Sequence, residues 1–76
     1  MAWNWYRPGQ EKKTGFDYAT KAHAIRAAVG AGLKDGQSAK GRKAAQGRFN
    51  RMTEDEVATF WRCLVSAGWH VRRDGL

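Results

Sequence analysis

The sequence predicts a mainly α protein: a small two- or three-helix domain, with room for a short two-stranded sheet joining the N- and C-terminal segments. Three observations carry this expectation. A capping-box signature, Thr53-Glu54-Asp55-Glu56, opens a run whose apolar residues recur at helical spacing. A second helical stripe passes through Tyr18, Ala22, Ile25 and Val29. Short stretches of alternating aromatic and polar residues lie near both ends of the chain. At 76 residues, one domain spanning 1–76 is the sensible count. A chain of this size buries only roughly 60% of its unfolded surface, so its four Trp, three Phe and two Tyr are needed for a core.

In chain order, residues 1–15 form an aromatic arm. Trp3 and Trp5 alternate with Asn4 as in a strand, and Pro8-Gly9 ends it with a turn signal. Residues 16–33 are expected to be the first helix, capped by Thr14 or Asp17, with the Gly30-Ala31-Gly32-Leu33 ending supplying a glycine stop.

Residues 37–52 read two ways. Ser38 is a suitable cap, and Ala45, Phe49 and Met52 would share one helical face opposite Lys40, Lys43, Gly47 and Arg51. Gly41 and Gly47 each cost about 1 kcal/mol relative to Ala in a helix interior. The segment is therefore either a helix pinned by Phe49 and Met52, favoured in its second half, or a mobile basic loop that orders on binding.

Residues 53–67 form the clearest element. Val57, Phe60, Trp61, Leu64 and Val65 make a full buried stripe, three acids complement the helix dipole, and Gly68 stands where a left-handed stop is expected. Trp69, following it, is placed to touch Leu64 as a Schellman ending requires. Residues 69–73 alternate as a short strand that can pair with residues 2–7.

Charge gives the functional expectation. Fourteen Lys and Arg face seven Asp and Glu, a net charge of +7, and such a field draws polyanions. Between Lys34 and Arg51 lie six cations, Lys34, Lys40, Arg42, Lys43, Arg48 and Arg51, against Asp35 alone. Lys and Arg gain affinity for phosphates by releasing condensed counterions. Arg72 and Arg73 would flank this segment, with His70 beside them. Gln37, Ser38, Gln46 and Asn50 can add neutral hydrogen bonds. The expected partner is DNA or RNA, and a helix–turn–helix is conceivable because residues 50–52 join the last two helical segments directly. Phe49, inside the basic run, either stacks on an unpaired base or anchors its segment to the core.

The alternative is a basic inhibitor or adaptor, of the size of a small phage-type regulator, that docks on an acidic or nucleic-acid-binding surface of a larger protein. Trp3, Trp5 and Tyr6 would be its anchors, unless they cap the core. A homodimer is compatible with this size, because a second copy would cover exposed aromatics.

Catalysis, metals and cofactors are not expected. Glu54, Asp55 and Glu56 point different ways on a helix, so they suit capping better than paired acid–base work. His23, His70 and Cys63 lack the spacing of a metal site, and Gly-Arg-Lys-Ala lacks the features of a phosphate-cradling Walker loop. A lone cysteine fits a reducing cytoplasm, no apolar run reaches bilayer length, and the first residues read unlike a signal peptide.

Overall fold

A computed structural model describes residues 2–10 and 17–74 of the chain. The elements run β1 (Ala2–Tyr6), α1 (Lys21–Lys34), α2 (Ala39–Asn50), α3 (Glu54–Ser66) and β2 (His70–Asp74). β1 and β2 pair antiparallel, with Trp3 opposite Arg73, Asn4 opposite Arg72, Trp5 opposite Val71 and Tyr6 opposite His70. This is the expected mainly α arrangement with a sheet that joins the two ends of the chain.

Strand alternation sends Trp5 and Val71 to one face of the sheet, where they meet the core. Two short strands are marginal alone. Here α1 backs them, and it also packs against α2 and α3, so it is the central element. The core joins Trp5, Ala28, Val29, Leu33, Val57, Leu64 and Trp69. The rings of Trp5 and Trp69 stack at 5.6 Å between centroids and 15° between planes.

α1 departs from its expected start and face. It begins at Lys21, not at residue 16, and Thr20 caps it by accepting from the backbone N–H of His23. The cause is tertiary: the backbone of Tyr18 exchanges two hydrogen bonds with Trp3, at 2.8 and 2.9 Å, which holds that stretch extended. Asp17 accepts from the side chain of Asn4 instead of capping the helix, and Thr14 lies outside the described residues.

The buried residues of α1 are Ala24, Ala28, Val29, Gly30 and Leu33, whereas Ala22 is exposed and Ile25 half-buried. A helix surrounded by four neighbours buries small residues at close approaches beside Val29 and Leu33, so of the expected stripe Val29 lies on the inner face while Ala22 and Ile25 do not. Gly32 is such an approach: a Cβ there would lie 3.0 Å from Leu64 Cδ2 and 3.2 Å from Leu64 Cδ1.

α2 is helical along its whole length, beyond the second half that the sequence favoured. Ser38 caps it by accepting from the N–H of Gly41. Phe49 and Ala45 pack against the core, and Gly30 of α1 leaves room for the Phe49 ring.

α3 follows its end signals closely, but of its expected buried stripe only Val57 and Leu64 are buried; Phe60 and Trp61 are half-buried and Val65 is exposed, because α1 covers one narrow strip of the helix. Thr53 Oγ1 accepts from Glu56 N–H, and the Glu56 carboxylate accepts from Thr53 N–H, completing the capping box. At its other end Gly68 has φ +103°, Gly68 N–H bonds to the Val65 carbonyl and Trp69 N–H to the Leu64 carbonyl. That is a Schellman ending, and it delivers Trp69 into the core beside Leu64. β2 consequently starts at His70, one residue after its expected beginning.

Candidate functional site

The basic segment falls on α2 and its flanks. Successive side chains on a helix are 100° apart, so Lys40, Lys43, Gly47 and Arg51 line one face and Ala45 and Phe49 the opposite one. Lys40, Lys43 and Arg51 are exposed. The Arg51 guanidinium folds back along this face, so that a Cβ on Gly47 would lie 3.5 Å from it. α2 carries no acidic residue and buries none of its side chains fully. Among the described residues, Lys40, Arg42, Lys43 and Arg51 form no ion pair. Two of the neutral polar side chains accept hydrogen bonds close by: Ser38 Oγ from the N–H of Gly41, and Asn50 Oδ1 from Gln46 Nε2 at 2.8 Å.

The eight cations expected to act together divide into four groups. Lys40, Lys43 and Arg51 hold the outer face of α2. Lys34 and Arg42 turn instead to a hollow of about 380 Å³ between α1 and α2, where Arg7 joins them. Arg48 leans toward the acidic start of α3, lining a hollow with Asp55 and Glu56. The Glu56 carboxyl is held below its ordinary range, chiefly by the Thr53 backbone N–H, with a smaller contribution from the Arg48 charge.

Arg72 and Arg73 lie on the sheet and, as neighbours in a strand, project from opposite faces. Arg72 is engaged internally, with Nε 3.1 Å from Asp74 Oδ1 and its guanidinium 4.4 Å from the centre of the Tyr6 ring. The expected grouping of Arg72 and Arg73 with the α2 cations is therefore not what the fold makes: β2 packs on β1 and α1.

Arg7 was not singled out by its sequence context, a strand end before Pro8-Gly9. It takes two hydrogen bonds to Asp35, from Nε at 3.2 Å and Nη2 at 2.8 Å, and its guanidinium lies over both Trp5 and Trp69. The paired carboxylate raises the already high pKa of Arg7. Asp35, the acid inside the basic segment, is thus occupied by a residue 28 positions away. Arg26 is a second unforeseen cation, over the face of Phe49 at 4.9 Å. Phe49 therefore serves as an anchor, with one ring face covered, rather than as a free stacking platform.

Two aromatic residues of the N-terminal arm, Trp5 and Tyr6, belong to the core. Trp5 is 5% and Tyr6 2% exposed, so neither reaches a partner, and Trp3 is half-buried with Lys21 over its ring. Two of the three expected protein anchors are removed by this burial. No described aromatic side chain stands fully exposed, and the large hydrophobic group on the surface is Val65.

Beside Tyr6 lies a polar cluster. Tyr6 Oη and Asn4 Nδ2 both donate to Asp74 Oδ2, and His70 stacks on the Tyr6 ring at 5.0 Å. Burial, then the Asp74 hydrogen bond, pushes the Tyr6 phenol up; the Tyr6 hydroxyl in turn holds Asp74 below the ordinary carboxylate range. The cluster ties the two strands together.

The short connection between α2 and α3 exists, yet α3 packs on α1 and opens with Glu54, Asp55 and Glu56. Three carboxylates at its start would repel phosphates, so α3 is unsuited to be the reading helix of a helix–turn–helix. Among the described residues, no three His, Cys, Asp or Glu side chains gather as a metal site, and no helix is long and apolar enough to cross a membrane. Compared with known proteins, the chain matches no family model, no curated sequence and no solved structure.

Proposed function

We propose that this protein is a small, non-enzymatic nucleic-acid-binding module that holds phosphates on the outer face of α2. One observation carries the reading: Lys40, Lys43 and Arg51 stand exposed on one helical face, with no acid on the helix and no ion pair of their own among the described residues. Cations left unpaired in a folded protein keep their full capacity to displace counterions from a polyphosphate. The lone, exposed thiol of Cys63 suits a reducing compartment, which makes the cytoplasm the natural place of action.

The test is a titration with duplex and single-stranded DNA and RNA at several salt concentrations. Each duplex phosphate contact contributes about −0.9 to the log–log slope, so the three outer-face cations account for about −2.7. Replacing them together (Lys40→Ala, Lys43→Ala, Arg51→Ala) should remove that much of the slope and leave the thermal midpoint unchanged. Negligible binding to every nucleic acid at low salt would defeat the proposal. Recovery of one stoichiometric, nuclease-insensitive protein partner would replace it with the inhibitor or adaptor reading.

A further inference from the structure

We infer that the hollow between α1 and α2 is a phosphomonoester site, loaded by the terminal phosphate of a nucleic-acid strand. The inference rests on the reading that α2 holds such a strand. Three cations from three parts of the chain line the hollow: Arg7 after β1, Lys34 at the end of α1, and Arg42 on α2. Ala27, Gly30, Ala31 and the Phe49 ring also line it, and the small side chains of α1 leave it open on that side. Its carboxylate, Asp35, is engaged by Arg7. The three cations and one carboxylate leave two net positive charges, which match a phosphomonoester carrying about −1.5 to −2 at neutral pH. An internal diester carries a single charge and is flanked by sugars on both sides; a chain end has no such obstruction.

Arg7 is also oriented in advance. Asp35 and the rings of Trp5 and Trp69 fix its guanidinium, which uses two of its five N–H donors on Asp35. A donor already held in place loses little freedom when an anion arrives. The structure thus divides the labour: the outer face of α2 follows the strand and the hollow recognises its end.

The experiment compares one single-stranded oligonucleotide with a 5′-phosphate, a 3′-phosphate or hydroxyl ends, and adds a nucleoside 5′-monophosphate alone. A phosphate-ended strand should bind about tenfold more tightly than the hydroxyl-ended one. Lys34→Gln with Arg42→Gln should abolish that preference while hydroxyl-ended binding persists. Asp35→Asn should strengthen it, although the substitution removes a partner of Arg7; a purely structural role for the hollow predicts no such gain. Equal affinity for all ends, or a preference that survives the double substitution, overturns the inference. If the unchanged protein ignores every strand, the monophosphate decides. Its binding, lost in the double variant, upholds the phosphomonoester site and overturns only the reading of α2, whereas indifference to both overturns the two together.

Discussion

α2 and α3 are nearly equal in length, 12 and 13 residues, and follow one another in the chain, yet different forces hold them. α3 closes its own N-terminus with a capping box, ends in a Schellman motif, and buries Val57 and Leu64. α2 has a single side-chain cap, two interior glycines and no fully buried residue, and it docks through Phe49 and Ala45. A helix that contributes little to the core keeps its surface free for other work, and on α2 that surface is cationic. The contrast teaches that stabilising and binding tasks are separated between adjacent helices in this small chain. α3 takes the apolar positions and the acids, α2 the unpaired cations.

The largest expected effect tests the structural half of the contrast. Leu64→Ala removes a buried side chain from the α1–α3 contact and should cost about 2–5 kcal/mol, a large fraction of the stability of so small a protein. Thermal unfolding measures it; a loss well under 1 kcal/mol would contradict the role given to α3. Phe49→Ala should cost less, about 2 kcal/mol, because the ring is only half-buried. Its loss should fall on α2, lowering the far-UV helical signal while the near-UV signal of the stacked Trp5 and Trp69 persists. Simultaneous loss of both signals would show that α2 and the core are one cooperative unit.

A smaller effect should come from Gly47→Ala. A Cβ at that position meets nothing closer than the Arg51 guanidinium at 3.5 Å, an ordinary contact, so the substitution should stabilise by up to about 1 kcal/mol. A lower thermal midpoint would show that the outer face of α2 is more crowded than its geometry indicates.

Acid provides the finest distinction. Hydrogen bonding in the fold depresses the carboxyl pKa values of Glu56 and Asp74. Their stabilising contributions are present above the unfolded carboxylate range and are lost as pH falls through the folded values, in the window below about pH 4. α2 has no acidic residue to titrate. Backbone amide shifts followed by NMR should therefore move first at the start of α3 and in the paired strands. Earlier movement in α2 would reverse the assignment. In base the Tyr6 phenol, raised in the fold, acts with the opposite sign: its hydrogen bond to Asp74 persists below the ordinary tyrosine range and is lost as pH rises through the folded value, above about pH 10.

The ends of α3 were legible to within one residue, because each interaction that bounds it spans five positions or fewer: Thr53 with Glu56, Val65 with Gly68, Leu64 with Trp69. The pairing of the two end strands was legible from their alternation. The basic segment was legible as charge, but its division was not. Lys40, Lys43 and Arg51 follow from helical spacing, whereas the turning of Lys34 and Arg42 toward Arg7 depends on how α1 and α2 meet. Trp5 and Tyr6 had two readings in the sequence, and only packing chose the core.

By itself, then, the sequence determined the caps of α2 and α3, the strand alternation and the charge density of α2, since backbone and side-chain groups a few residues apart meet in any chain that forms those elements. Tertiary structure decided where α1 begins, which of its faces is buried, and which cations remain unpaired. Arg7 meets Asp35 across 28 positions and Tyr6 meets Asp74 across 68. Contacts at such separations exist only once the fold has met the entropic cost of closing the intervening chain.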